Sequence, residues 1–318
     1  MRHYLDFEKP IAELEGKIDE LRKMSEADGL NIAEEVVKLT EKSERQLRAT
    51  YARLTPWQKT QVARHPDRPK ASDYLATLIT EFTPLAGDRA FADDAAVVGG
   101  LGRYHGRPVM AIGTEKGDDT ESRVQHNFGM ARPEGYRKAR RLVELAGRFG
   151  LPVLTFVDTS GAFPGIDAEA RGQAEAIARS IEACLVAPVP LVATIIGEGG
   201  SGGAIALAAG DAVLMLEHAI YSVISPEGCA AILWKDSAQA AAAAEALKLT
   251  AEDLRRLGLI DAIVAEPLGG AHRDPTATIA AVDEAVTAAL APLAALDVAA
   301  LTARRREKYL EMGREALG

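Results

Sequence analysis

The stretch VPLVATIIGEGGSGGAIALAA, residues 189–209, decides the fold. It opens with a continuous apolar run, residues 189–196, which is typical of a strand buried on both faces of a sheet. Five glycines fall within the next seven residues, 197–203, and they predict a loop. The apolar residues 204–209 then predict a short helix. A buried strand, a glycine-rich loop and a helix in direct succession form one strand–helix unit of a parallel sheet.

The same order of elements occurs once more, upstream in the chain. Residues 151–158 (LPVLTFVD) predict a second buried strand, and TSGAFPG at 159–165 predicts the loop that follows it. Periodic apolar residues predict a helix from Asp167, and another helix over 133–149 that ends at Gly150. Repeated strand–helix units predict an α/β fold with a largely parallel sheet.

The first 70 residues differ from the rest in their helical periodicity and many charges. Four apolar residues are spaced three or four apart and line one face of a predicted helix: Ile11, Leu14, Ile18 and Leu21. Gly29 and Asn31 break this helix, and a second amphipathic helix follows, so that the two form a hairpin. The turn-rich segment 65–69 then predicts a boundary. We therefore expect an N-terminal helical arm over 1–70 and a second domain over 71–318, which ends in helices.

The overall composition excludes several classes of protein. Lys and Arg number 37 against 46 Asp and Glu, a formal net charge of −9, whereas a general nucleic-acid binder would be basic. No run of about 18 apolar residues predicts a membrane-spanning helix, and the N-terminus lacks the apolar core of a signal peptide. The two cysteines, Cys184 and Cys229, are too few for a disulfide framework or a zinc ribbon. These features predict a cytoplasmic protein without a metal site of its own.

The glycine-rich segment 197–203 predicts chemistry carried by the backbone. First-turn amides of a helix have no acceptor within it, and the helix dipole adds partial positive charge there. With no side chains in the way, the amides of Gly202 and Gly203 would form an oxyanion hole. Gly199 and Gly200 would let a ligand approach the backbone closely. The competing explanation is that the glycines serve the close packing of strand against helix.

A nucleotide site is the main alternative for the same segment. A P-loop is excluded, because no lysine follows the last glycine. The dinucleotide pattern GxGxxG fits at Gly197, Gly199 and Gly202, and Glu217 follows about 20 residues after the first glycine. This pattern predicts an NAD-dependent oxidoreductase. Against it, the predicted helix is short for a nucleotide-binding unit, and the segment does not open the first strand–helix unit.

Two further loops and one lysine are candidates for the same cleft, because loops at the carboxyl ends of parallel strands converge. The first loop contributes Thr159, Ser160, Gly161, Ala162 and Phe163. The second resembles a helix start with a capping serine and a first-turn proline, and it contributes Ser225, Pro226, Glu227 and Gly228. Lys116 follows a predicted strand and is a candidate contact for an anion. No side-chain nucleophile or general base stands out, which favours backbone amides and a base supplied by a cofactor or substrate.

Seven segments in a fixed order resemble one enzyme family. They are FEKPIAELEGKI, LAGDRAFADDAAVVGGLGR, NFGMARPEGYRKA, RGQAEAIARSIE, GEGGSGGAIAL, YSVISPEGCAAILWK and EPLGGAHRDP. Together they extend from about residue 5 to about residue 275, and they closely resemble the α subunit of bacterial acetyl-CoA carboxylase carboxyltransferase. The resemblance implies a crotonase-like ββα superhelix and an α2β2 enzyme whose β subunit carries a zinc ribbon.

The resemblance also implies a reaction. The family transfers a carboxyl group from carboxybiotin, borne by the biotin carboxyl carrier protein, to acetyl-CoA and so forms malonyl-CoA, the first committed step of fatty acid synthesis. It implies that the amides of Gly202 and Gly203 hold the biotin ureido oxygen, while loops 159–163 and 225–228 shape the carboxybiotin side. Biotin would supply the base, and a separate biotin carboxylase subunit would use the ATP. Two alternatives stay open. One is a carboxyltransferase that acts on a longer acyl-CoA, and the other is a non-catalytic scaffold subunit that binds its partners through the N-terminal helical arm.

Three positions depart from the pattern of this family. Ser160 stands where proline or alanine is usual, and Thr114 stands where histidine is common. Gln125 lies in a segment where one or two basic residues are usual. These departures leave the glycine segment intact and affect the predicted anion contacts near Lys116.

Overall fold

The computed structural model describes residues 3–28 and 33–314, and within them eight strands form one sheet. The strands are β1 (Thr80–Pro84), β2 (Val97–Tyr104), β3 (Arg107–Thr114), β4 (Val153–Thr159), β5 (Leu191–Gly200), β6 (Ala212–Leu216), β7 (Ile220–Ser222) and β8 (Ala262–Val264). Their order across the sheet is β1-β2-β3-β4-β5-β6-β8, and β7 pairs with the carboxyl end of β5. The first three strands are antiparallel, and the other strand pairs are parallel.

Fourteen α-helices occur within the described residues. They are α1 (Lys9–Asp28), α2 (Ala33–Tyr51), α3 (Pro56–Ala63), α4 (Ala71–Leu78), α5 (Thr120–Gln125), α6 (Pro133–Phe149), α7 (Ile166–Ala170), α8 (Gln173–Val186), α9 (Ser201–Ala208), α10 (Pro226–Trp234), α11 (Ala240–Leu247), α12 (Ala251–Arg256), α13 (Pro275–Leu293) and α14 (Val298–Glu311). Helix α6 has the predicted bounds. Gly150 ends it with a left-handed φ of 67°, which a residue without Cβ adopts at little cost.

Helices cover both faces of the sheet. A side chain at Gly99 of β2 would meet Leu142 of α6. One at Gly113 of β3 would instead meet Ala71 of α4. Gly99 pairs with Ile112, the neighbour of Gly113, so the two glycines face opposite sides of the sheet. The fold therefore has three layers, helix–sheet–helix, and it confirms the predicted α/β class with a largely parallel sheet.

The N-terminal helices carry a small core of their own. Ile11 of α1, Leu47 and Tyr51 of α2, and Val62 of α3 form one buried apolar cluster. The predicted break between α1 and α2, at Gly29 and Asn31, lies outside the described residues. The two helices pack against each other, as a helical hairpin requires.

Contacts cross the boundary predicted at residue 70. Arg68 donates to the carbonyl oxygen of Ile196 in β5, at 2.9 Å, and forms two hydrogen bonds with the carboxylate of Glu266 just beyond β8. The segment that leads out of α3 is therefore fastened to the carboxyl ends of the strands. The division into 1–70 and 71–318 stays a prediction.

Among the described helices, α13 is the one long and apolar enough to cross a membrane by length and composition. Its buried residues Val282, Val286 and Leu290 belong to the main hydrophobic core. Helix α13 packs against β5, β6 and β8, as the core helix of a globular domain does.

Candidate active site

The glycine segment is not the loop that its composition predicts. Strand β5 continues through Gly199 and Gly200. Gly199 pairs with Thr159 of β4 on one edge, and the two glycines pair with Tyr221 and Ser222 of β7 on the other. Helix α9 begins at the next residue. The change from strand to helix falls on Ser201, whose φ is 53°. The prediction of a loop over 197–203 was wrong, because a pairing partner for the glycines comes from a distant strand.

Close packing accounts for some of these glycines and not for others. A Cβ at Gly200 would lie 2.3 Å from the carbonyl carbon of Ser160, and one at Gly203 would lie 2.8 Å from that of Gly161. Neither position has room for a side chain. A Cβ at Gly202 would lie 3.4 Å from the nearest atom, on Ile177, which is close to an ordinary contact. The packing explanation therefore holds for Gly200 and Gly203, whereas Gly202 has no such requirement.

The structure brings the predicted loop 159–163 against the start of α9. The amide nitrogen of Ala162 lies 3.0 Å from the position that a Cβ on Gly203 would take. Within the loop, the amide of Gly161 donates to Thr159 Oγ1 at 3.1 Å. The amide of Phe163 donates to the carbonyl of Ala131 at 3.0 Å, which ties the loop to the segment just before α6. The first turn of α9 and the backbone of loop 159–163 therefore lie next to each other.

The third predicted loop follows β7, which pairs with the end of β5. Ser225 caps α10 as expected, and its Oγ accepts from the amide of Gly228 at 3.1 Å. Pro226 is the first residue of the helix. Glu227 turns toward Arg64, and its Oε1 lies 2.5 Å from that guanidinium. Gly228 is therefore engaged in capping, and Glu227 in an ion pair.

A chain of ion pairs joins the ends of three neighbouring strands. Lys116, just after β3, lies 2.7 Å from Asp158 Oδ1 and 2.7 Å from Glu198 Oε2. Arg64 Nε lies 2.6 Å from the other oxygen of Glu198. Burial alone would raise the pKa of Glu198, but the charges of Lys116 and Arg64 outweigh it and lower that pKa to about 2. Glu198 is therefore ionised at neutral pH and anchors both cations.

This network changes the interpretation of Lys116. Burial would lower the pKa of its ammonium group, but the two carboxylates outweigh that effect and raise the pKa above its ordinary value. Its charge is thus already matched by Asp158 and Glu198. A role as an anion contact stays a prediction, and it would require an anion to compete with two carboxylates.

A cavity of about 270 Å³ opens beside these ion pairs. It lies between the segment that leads out of α3 and the ends of β3, β4 and β5. Its lining includes the charged residues Arg64, Arg68, Lys116, Asp158 and Glu198, together with Ser160 of the predicted loop. This volume suits a small ring or acyl group better than a whole coenzyme.

Sequence reasoning missed three residues of this region. Glu198 lies inside the glycine segment, and a charged residue among glycines at a strand end was a visible signal. The hydroxyl of Tyr136 lies 2.8 Å from where a Cβ on Gly203 would be, and it is buried without a hydrogen-bond partner. Arg64 gave no local signal, since its two carboxylates are distant in the sequence.

Comparison with known proteins gives the family. The sequence model of the acetyl-coenzyme A carboxylase carboxyltransferase-like family matches residues 4–313. The carboxyl transferase subunit alpha of acetyl-coenzyme A carboxylase from Acidiphilium cryptum (strain JF-5) is 72% identical over 313 residues, which are 98% of each chain. The same subunit from Gluconacetobacter diazotrophicus is 69% identical over 317 residues, 100% of each chain. The chain belongs to the α-subunit family of the acetyl-CoA carboxylase carboxyltransferases.

Solved structures show the fold of this carboxyltransferase subunit. Transcarboxylase 12S matches with a TM-score of 0.56 and 19% identity, over 70% of this chain and 42% of that chain. A chain of a Pseudomonas malonate decarboxylase hetero-tetramer matches with a TM-score of 0.57 and 18% identity, over 70% and 91% of the two chains. The fold is therefore crotonase-like, as the resemblance implied.

The carboxyltransferase subunit does not use its GxGxxG pattern as a dinucleotide fold does. Gly197 and Gly199 lie in β5, where a Cβ at Gly197 would lie 2.5 Å from the carboxylate of Asp158. Helix α9 has only eight residues. Glu217 accepts a hydrogen bond from the amide of Glu266, so its carboxylate fixes the chain beyond β8. The GxGxxG pattern therefore reflects the close packing of β5. The interpretation of the chain as an NAD-dependent oxidoreductase is rejected.

Proposed function

We propose that this subunit transfers the carboxyl group of carboxybiotin to acetyl-CoA, in a site completed by a zinc-ribbon β subunit in an α2β2 enzyme. The carboxybiotin would arrive on the biotin carboxyl carrier protein, which a separate, ATP-using biotin carboxylase charges. Family membership supports the reaction, and the alternative of a longer acyl-CoA rests on no residue described here. We also propose that the enzyme is cytoplasmic and that residues 1–70 act as its helical arm.

The backbone at the start of α9 supports the placement of the carboxybiotin side. The first-turn amides of Gly202 and Gly203 have no acceptor in the helix, and the helix dipole favours negative charge at this end. We assign them to the ureido oxygen, which becomes negative when carboxybiotin releases its carboxyl group. Removing one such donor costs about 10²–10³ in rate in measured oxyanion holes.

The surrounding residues hold this backbone in place. Thr159, Ser160, Gly161, Ala162 and Phe163 would form one wall, and Ser225, Pro226, Glu227 and Gly228 the other. Gly199 pairs with Thr159 of the first wall, and Gly199 and Gly200 pair with β7, the strand that precedes the second wall. Bound biotin would supply the base that takes a proton from acetyl-CoA. The chain itself then needs only to orient the group and exclude water.

The decisive observation is the position of Gly202, whose amide lies in the first turn of α9 and whose Cα has no packing requirement for glycine. The experiment is malonyl-CoA decarboxylation with free biocytin, with and without a zinc-ribbon β subunit. We expect activity only with both chains. G202V would lower the rate by about 10²-fold or more while the chains still assemble, because its side chain blocks approach to the amides.

Two results would contradict the proposal. An unchanged rate for G202V would show that the site lies elsewhere on the chain. No activity of the unmodified pair, with the two chains associated in size-exclusion chromatography, would remove the proposed function.

A further inference from the structure

Arg132, the residue that precedes α6, is a half-buried cation without a carboxylate. Its guanidinium carbon lies 4.6 Å from the centre of the Phe163 ring. Its Nη2 donates one long hydrogen bond, 3.4 Å, to Asn127 Oδ1. Its Nε is buried and has no hydrogen-bond partner. Within residues 3–28 and 33–314, no carboxylate oxygen lies near enough to pair with it.

Other buried or half-buried arginines of the chain are bound differently. Carboxylates hold Arg64, Arg68, Arg137, Arg171, Arg273 and Arg305. The half-buried Arg123 and Arg141 have no carboxylate either in the described part of the chain, but the Nε of each donates to a backbone carbonyl oxygen, that of Gly117 and that of Gly87. Taking a guanidinium partly out of water without a matching anion costs free energy, which is why such groups are normally paired. Among the residues that the structure describes, Arg132 differs from all of these arginines in that it has neither a carboxylate nor a hydrogen-bond partner for its buried Nε, and it lies beside a loop that we assign to the site. A ligand that brings its own negative charge would complete the missing pair.

The backbone fixes Arg132 against that loop. Its amide donates to Asp94 Oδ2 at 2.7 Å. The carbonyl of the preceding residue, Ala131, accepts from the amide of Phe163 at 3.0 Å and from Gln173 Nε2 at 2.9 Å. The guanidinium carbon lies over the Phe163 ring, so the cation stacks on a residue of this loop. A cation held on a rigid frame in this way is preorganised for one orientation of a ligand.

The turn over residues 127–129, which carries the hydrogen-bond partner of Arg132, has a strained backbone. Asn127, Phe128 and Gly129 follow one another with φ of 46°, 55° and 79°. Three successive left-handed residues, two of them with a Cβ, are costly and persist where the surroundings enforce them. The strained turn carries Asn127, whose Oδ1 is the sole acceptor found for the Arg132 guanidinium among the described residues.

We propose that Arg132 binds the carboxylate that this enzyme transfers. The inference rests on the proposed function, because it takes loop 159–163 as a wall of the carboxybiotin side. The transferred group is a carboxylate in the malonyl thioester and in carboxybiotin, whereas acetyl-CoA lacks it at the acyl end. A guanidinium presents two parallel N–H groups that match the two oxygens of a carboxylate. Arg132 therefore distinguishes the carboxylated from the uncarboxylated thioester.

The test compares R132M and R132K with R140M in the complex with the β subunit. Arg140 lies on α6 as well, but it is exposed and paired with Glu144, so R140M removes the same charge away from the site. The assay is transfer from malonyl-CoA to biocytin, with acetyl-CoA as an inhibitor that competes with malonyl-CoA. For R132M we expect KM for malonyl-CoA to rise roughly tenfold or more, and Ki for acetyl-CoA to stay within about twofold.

The conservative variant keeps the test decisive. R132K retains the charge and loses the bidentate geometry, so its KM should lie between those of the unmodified enzyme and R132M. If R132M does not assemble, R132K alone decides. Equal changes in KM and Ki, or no change in either while the unmodified enzyme is active, would overturn this inference and leave the proposed function intact. An inactive unmodified pair would instead remove both.

Discussion

Arg64 lies between Glu198 and Glu227 and binds both carboxylates. Its Nε is 2.6 Å from Glu198 Oε1, and its Nη1 is 2.5 Å from Glu227 Oε1. The first carboxylate belongs to the end of β5 and the second to the first turn of α10. One side chain from the N-terminal part of the chain thus joins the end of β5 to the start of α10. Without it, two negative charges would face each other across the cleft.

We predict that R64M lowers the rate of carboxyl transfer by roughly tenfold or more, because displacement of a site wall by about 1 Å can cost up to about 10² in rate. The double variant R64M/E227Q should recover part of the loss, since it removes the repulsion between the carboxylates. R53M, at an exposed position just beyond α2, is the control and should match the unmodified enzyme. Steady-state rates with malonyl-CoA and biocytin check this, and equal rates for the single and double variants would contradict it.

A second prediction concerns the close approach of β5 to loop 159–163. A Cβ at Gly200 would lie 2.3 Å from backbone atoms of Ser160, which cannot move without shifting the loop. G200A should therefore lower the free energy of unfolding by about 1–3 kcal/mol, the usual cost of overpacking. The matched control is G16A in α1, where no atom lies within 4 Å of the new Cβ.

G16A should instead raise the free energy of unfolding by about 0.5–1 kcal/mol, because alanine has the higher helix propensity. Urea unfolding of the two variants measures both effects. A G200A variant as stable as the unmodified chain would show that the loop yields easily, and the packing explanation for Gly200 would then be wrong.

The main elements could be predicted because their signals are local. Continuous apolar runs indicated β4 and β5, and the periodicity before Gly150 gave α6 with correct bounds. The capping role of Ser225 also followed from the sequence, since a cap depends only on the next three residues.

The site's interior could not be predicted, because it depends on contacts that are distant in the chain. The five glycines predicted a loop, whereas β7 pairs with Gly199 and Gly200 and so extends β5 through them. Arg64 and Glu198 are 134 residues apart. Nothing in either segment showed that the topology of the sheet would bring the two together.

A third prediction concerns α14, the charged C-terminal helix. Arg305 of α14 is fully buried, and its guanidinium forms two hydrogen bonds with Asp211 at 2.6 and 2.9 Å. It also donates to the carbonyl oxygens of Cys184, Ala187 and Val189, where α8 ends. The sequence predicted only that the chain ends in helices. R305M should lower the free energy of unfolding by about 3–5 kcal/mol, because Asp211 is left buried without its partner.

A double variant separates the lost pair from the lost packing. R305M/D211N removes both charges, so it should be more stable than R305M alone. R306M, on the exposed side of the same helix, is the control and should change the stability by less than about 0.5 kcal/mol. Thermal and urea unfolding provide the measurements. If R305M unfolds like R306M, the buried pair contributes nothing to stability.

The buried ion pair of Arg68 and Glu266 makes the free energy of unfolding depend on pH in the acidic range. Each Glu266 oxygen lies 2.8 Å from a guanidinium nitrogen of Arg68, and the amides of His218 and Ala271 also donate to this carboxylate. Burial would raise the pKa of Glu266, but the charge of Arg68 and these hydrogen bonds outweigh it and lower that pKa to about 2. A carboxyl group whose pKa is lower in the folded state stabilises the fold above its ordinary pKa. That contribution is lost as the pH falls toward 2.

The size of the effect follows from the shift in pKa. A fall from 4.5 to about 2 corresponds to on the order of 3 kcal/mol, lost between about pH 5 and pH 2. E266Q should be less stable than the unmodified chain at about pH 7, because Arg68 is left buried without an anion, and its stability should fall less steeply in acid. E284Q, at an exposed position of α13, should keep the original pH dependence. Urea unfolding across this range tests the assignment, and parallel curves for E266Q and the unmodified chain would show that Glu266 does not carry the acid dependence.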